Sequence, residues 1–166
     1  GAGNLDPKGR GQAFGAELHV YDVWDAVNDS PTDFVSDSIR LTSTSYGNGC
    51  NAGYTSFAQD ADQMIRQLPQ LMHVFSAGNS GSRDCGYGAG DGWGNVTGGI
   101  KVGKNVTAVA NLGATDQLAA SSSRGPASDG RTKPDMAAVG SSVYSTVDVN
   151  DYAVKSGTSM ACPGVT

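Results

Sequence analysis

The chain has 166 residues, 38% of them hydrophobic and 16% charged, a balance that can bury a core and excludes disorder by composition. Its formal net charge of −5 argues against nucleic acid or an anionic membrane as partner. No apolar run approaches the ~20 residues needed to span a bilayer, and the length suits one domain or a large piece of one.

Glycine is abundant at 24 residues without any repeat, which implies tight turns joining short elements. Gly1 to Pro7 has neither the basic start nor the apolar stretch of a signal peptide. Three cysteines, Cys50, Cys85 and Cys162, lack metal-ligand spacing, so zinc is set aside. In chain order, a glycine-rich loop from Gly9 to Glu17 runs into Leu18–Val23, whose β-rich composition reads as a buried strand carrying His19. Trp24 to Asp37 is polar and reads as a loop or single turn, with Ser30-Pro31 marking a turn. Ile39 to Ser45 alternates apolar and hydroxyl side chains at strand period. Ser56 to Leu68 places Phe57, Ala61, Met64, Ile65 and Leu68 at helical spacing, a stripe read as core, with Asp60 and Asp62 early enough to suit the helix dipole. After Pro69 comes a strand from Met72 to Ala77, and helix then strand is the crossover unit of a parallel sheet.

Ser82 to Gly99 is a glycine-laden loop, and Val106 to Leu112 is another strand. Two turn-rich stretches follow, then two short strands at Val143–Thr146 and Tyr152–Val154 leading to Lys155-Ser156-Gly157-Thr158-Ser159-Met160-Ala161-Cys162-Pro163. Small residues crowd around Ser159, and a helix-compatible run begins at once, with Pro163 tolerable in a first helical turn. Ser159 is therefore expected at a helix N-terminus, where free backbone N–H groups favour negative charge. The plain alternative is an ordinary N-cap at Thr158 or Ser159.

Gly157-Thr158-Ser159-Met160-Ala161-Cys162-Pro163 resembles the serine motif of the subtilases, the subtilisin-like serine peptidases, and His73 to Gly81 resembles a second signature of that family. The resemblance implies an α/β fold, a mainly parallel sheet flanked by helices. It implies that residues 1–166 are part of a single peptidase domain, starting after the histidine-motif helix and ending in the serine-motif helix. It makes Ser159 the nucleophile and Asn79 an oxyanion donor through its side-chain amide. The walls of the pocket for the residue before the scissile bond would be Ser45-Tyr46-Gly47 and Ser76-Ala77-Gly78, with Gly157 and Thr158 also at the substrate. Nothing charged lies in either wall segment. The usual Ala-Pro-Gly of the family is replaced by Ala138-Val139-Gly140, which would loosen that turn.

A serine hydroxyl needs a base, and the base needs an orienting carboxylate. The chain offers only His19 and His73, both without histidine-motif neighbours, and no acidic residue has the aspartate-motif context. Both histidines therefore read as structural, and the remaining triad members are expected from a segment outside this chain. If the loops after the two walls bound the same pocket, Cys50 and Cys85 would bridge. Cys162 reads as a buried small hydrophobe. No cofactor is required for the chemistry; structural calcium is common in the family and Asp116 is the candidate ligand, against the reading of Asp84, Asp91 and Asp116 as solvated loop carboxylates. The implied partners are a peptide or protein substrate and the rest of the catalytic domain, and the implied location is extracellular. The other functional class open to the chain is a catalytically silent peptide-binding or structural module.

Overall fold

Short runs of small and β-branched residues, each too brief to bury itself alone, come together as one parallel sheet in the computed structural model of the chain. It describes residues 6–22, 25–47, 49–50, 53–96 and 98–166. After a 3-10 turn over Pro7–Gly9 come two short α-helices, α1 (Asp25–Asn28) and α2 (Ser30–Ser36). The sheet is built from β1 (Leu41–Thr44), β2 (Met72–Ser76), β3 (Thr107–Leu112) and β4 (Met136–Val139), which lie side by side in chain order. Leu41 stands opposite Met72, Val74 opposite Thr107 and Val109 opposite Met136, all in parallel register. Parallel neighbours cannot be joined by a tight turn, so the chain crosses over a face between them. Between β1 and β2 that crossover is α3 (Ser56–Gln67).

Successive side chains of a strand point to opposite faces, and β2 shows the consequence. Phe75 enters a cluster with Val27, Ala61, Ile100 and Val106, under Tyr46, Met64 and Ile65. Val74 enters another with Val109, Ala161 and Cys162 on the opposite side. Covered on both faces, β2 and β3 are buried almost throughout, as a parallel sheet requires. Past β4 the chain forms an antiparallel hairpin, β5 (Val143–Val147) with β6 (Asp151–Lys155), braced by stacked Tyr144 and Tyr152 rings 5.5 Å apart. The hairpin delivers the chain to α4 (Thr158–Ala161) and a 3-10 turn over Cys162–Gly164, whose first turn takes Pro163.

Several local expectations give way to tertiary context. Leu18 to Asp22 is not a buried strand: it has no regular structure, Val20 is 91% exposed, and no strand among the described residues pairs with it. Val23 and Trp24 lie outside the described residues. Asp25 to Ser36 is helical rather than a loop, and Pro31 opens α2, where its missing N–H costs nothing. On α3, Phe57 is exposed, while Ala61, Met64 and Ile65 of the expected stripe pack around Phe75 and the small Ala58 joins Ala77. Asp60 and Asp62 fall outside the first turn of α3. Asp62 is buried, accepting hydrogen bonds from the Lys104 and Asn105 backbone N–H groups and the Tyr54 hydroxyl. Its role is to fasten the loop before β3.

Gly140 likewise reverses the expectation of a loose turn. Val139 continues β4, the Gly140 N–H donates to the Leu112 carbonyl, and its own carbonyl accepts from Gly157 at 2.9 Å. A Cβ on Gly140 would fall 2.7 Å from the Ala161 nitrogen, so only glycine lets this turn press against the start of α4.

Candidate active site

Ser159 is the second residue of α4, half-buried, immediately after Gly157, whose φ of 155° lies in the region that favours glycine. The first N–H groups of a helix have no intrahelical acceptor. Among the described residues the Ser159 N–H indeed meets no acceptor. The end of β1 approaches from one side, with the Ser45 hydroxyl donating to the Ser159 carbonyl at 3.3 Å.

The end of β2 approaches from the other side through Gly78 and Asn79. Thr158 is fully buried and stitches the two segments together: its hydroxyl accepts from the Gly78 N–H at 3.1 Å and donates to Asn79 Oδ1 at 3.2 Å. The Thr158 N–H also donates to Asn79 Oδ1, at 3.0 Å. With Oδ1 held twice, the amide is fixed in orientation, and Nδ2 has no acceptor among the described residues. A Cβ on Gly157 would lie 3.2 Å from Nδ2, so the glycine keeps this amide uncovered. Thr158, expected to touch substrate, instead positions Asn79; its complete burial excludes direct contact.

A cleft opens between the two strand ends, lined by Gly47, Ala77, Gly78 and Asn79 together with Lys101 and Ser123. Ser76 is buried in the sheet and does not line it, because side-chain alternation along β2 turns it away. Tyr46 turns inward: its ring packs edge-on against Phe75, its hydroxyl accepts from the Ile100 N–H, and burial pushes its pKa up. The cleft is therefore not free of charge, as its wall segments alone implied. Lys101 comes from a 3-10 turn, Gly99–Val102, 22 residues past Asn79 in the chain, and no local pattern in the sequence marks it. Cys50 and Cys85 are bridged with Cα atoms 5.3 Å apart, tying the loop after the first wall to the loop after the second.

Neither histidine reaches Ser159. His73 is fully buried on β2, its Nδ1 2.7 Å from Thr42 Oγ1 and its Nε2 3.3 Å from Met64 Sδ; desolvation pulls its pKa down to about 4. His19 sits on the exposed stretch before α1, beside Glu17 at 3.4 Å. Cys162 is buried against the Val74 carbonyl, and burial raises its thiol pKa, which makes it a poor nucleophile. Asp116 is exposed in a turn with φ 60°, and Asp84 caps its own turn at the Gly86 N–H. Among the described residues no three acidic, histidine or cysteine side chains converge on a point that would hold a cation.

The motif around Ser159 and the fixed Asn79 meet at the ends of neighbouring strands of a parallel sheet in an α/β fold. The sequence profile of the subtilase family matches residues 1–166, and the chain belongs to that family. No curated protein sequence is significantly similar to it. Among solved structures it is similar to the prenylagaramide maturation protease PagA, with a TM-score of 0.66 and 18% identity over 92% of this chain and 50% of that one. It is similar to the self-cleaved protease domain of PatA, with a TM-score of 0.61 and 19% identity over 81% of this chain and 45% of that one. Sphericase matches with a TM-score of 0.59 and 26% identity over 86% of this chain and 45% of its own. The chain thus spans about half the length of these structures.

Proposed function

We propose that this chain carries the serine half of a subtilisin-like endopeptidase centre, with the histidine and aspartate of the triad supplied by a segment outside these 166 residues. In this reading the Ser159 hydroxyl oxygen bonds to a peptide carbonyl carbon while the external histidine takes its proton. The carbonyl oxygen becomes an anion, received by the Ser159 N–H and Asn79 Nδ2. The C–N bond then breaks, the amine leaves with the proton from the histidine, and water hydrolyses the acyl-enzyme. The peptide would lie along Ser45 to Gly47 as an added strand, paired through its backbone. Secretion accords with the Cys50–Cys85 bridge, since disulfides persist in oxidising compartments.

The observation that carries the reading is the fixed Asn79 amide, with Oδ1 doubly held and Nδ2 unpartnered beside an unpartnered Ser159 N–H. A preorganised pair of donors at a serine suits a developing oxyanion. The experiment is labelling of the parent protein with a serine-reactive fluorophosphonate, with Ser159→Ala as control and intact mass to identify every polypeptide present. Labelling at Ser159 is expected when the histidine and aspartate are in the sample, and residues 1–166 alone should stay unlabelled. Asn79→Ala should lower kcat by roughly 100- to 1,000-fold, the loss known when subtilisin itself is stripped of such a donor.

One observation favours a second reading, a silent peptide-binding module: among the described residues no base approaches Ser159. An intact parent protein whose Ser159 resists the probe would establish that reading.

A further inference from the structure

The cleft between the strand ends holds an ammonium group with an unspent capacity for a partner. Lys101 is 2% exposed, yet it lines the cleft beside Gly47, Gly78 and Asn79. Its Nζ donates to the Tyr46 carbonyl at 2.9 Å and lies 4.5 Å from the centre of the Tyr46 ring. It is also 3.9 Å from where a Cβ on Gly78 would stand, so it sits between both walls. An ammonium has three donors, and only one of these has an acceptor among the described residues. No carboxylate pairs with it: the ion pairs among the described residues are His19–Glu17, Arg131–Asp129 and Lys133–Asp135.

Lys133 shows how this chain otherwise treats a buried lysine. It is as hidden as Lys101, but its Nζ meets the Asp135 carboxylate at 2.6 Å and the Val106 carbonyl at 3.0 Å. Lys101 has no such compensation. Burial pulls its pKa down to about 8, which leaves it mostly protonated at neutral pH. The nearby Cys162 is no counter-ion, since burial raises its thiol pKa and keeps it neutral there. An uncompensated buried charge is costly, and one that borders a cleft is compensated by whatever enters. Gly47 and Gly78 leave the way to it open, and Ser123 adds a hydroxyl that accepts from the Ser80 N–H with its own proton unspent.

We infer that Lys101 is a specificity-determining residue that selects a carboxylate side chain, glutamate or aspartate, in the peptide residue before the scissile bond. The inference rests on the peptidase reading of Ser159. An entering carboxylate would accept the two unspent Lys101 donors and the Ser123 hydroxyl, whereas an amide of the same shape would leave the ammonium without a counter-ion.

The test uses the parent protein and internally quenched peptides that differ only in that residue, with Ser159 labelling run in parallel. Glutamate or aspartate is expected to exceed glutamine or asparagine in kcat/KM by roughly 10- to 150-fold, the scale of a hydrogen bond to a charged group. Lys101→Gln should abolish the difference while Ser159 still labels; if that variant does not fold, the wild-type ratio alone decides. Equal turnover of acid and amide, or a preference for apolar or small side chains, would overturn the inference and leave the peptidase reading standing. Failure to cleave any peptide with Ser159 unlabelled would overturn both.

Discussion

His73 illustrates how motif context outweighs residue type. Without histidine-motif neighbours it reads as structural, and it is sealed between Thr42 and Met64 with its pKa pulled down to about 4 by burial. Its ordinary value is 6.5, so between pH 6.5 and 4 the unfolded chain binds a proton that the folded chain excludes. Stability is then full above about pH 6.5 and falls as the pH drops through that window, by roughly 3 kcal/mol for this one group. Urea melts of the parent protein from pH 7 to 4 check this. His73→Gln, neutral throughout, should flatten the acid limb even if it lowers the plateau; an unchanged slope would sink the assignment.

At the scale of elements, the β5–β6 hairpin carries a strained turn. Val149 and Asn150 have φ of 64° and 55°, and Val149 is 95% exposed. Asparagine tolerates left-handed backbone, but a β-branched residue there is an outlier. Val149→Gly removes that conflict without losing any buried contact. A gain of roughly 1 kcal/mol in the parent protein is expected from the cost of left-handed geometry; a lower melting temperature for the variant would contradict it. The hairpin matters to the site because β6 ends at Lys155 and sets the point from which Gly157 enters α4.

The molecule as a whole leaves apolar surface uncovered. Leu41, Met72 and Met136, at the starts of β1, β2 and β4, are each about half exposed, and Leu18 and Val20 lie bare in the stretch before α1. β1 and β4 are edge strands among the described residues, each with one side left for a partner strand. Residues 1–166 expressed alone are therefore expected to associate or aggregate, as read by sedimentation. A soluble monomer with a cooperative melt would overturn this.

What the sequence by itself determined were the features carried by short segments: the serine motif at Gly157–Pro163, the Ser76-Ala77-Gly78-Asn79 run, α3 and the strands β1 to β3. Backbone propensity and periodicity act over a few residues, so these are legible without neighbours. The β-rich composition of Leu18–Val23 promised a strand, but a strand exists only through a ladder partner, and none among the described residues supplies one. Thr158 read as a substrate contact because burial cannot be seen along a chain; packing of α4 on β2 hid it and turned it into the clamp on Asn79. Lys101 was silent in the sequence. Only the crossover of the loop from β2 to β3 brings it against Tyr46 and Gly78, so the charge of the cleft was decided by tertiary contacts between residues more than twenty apart.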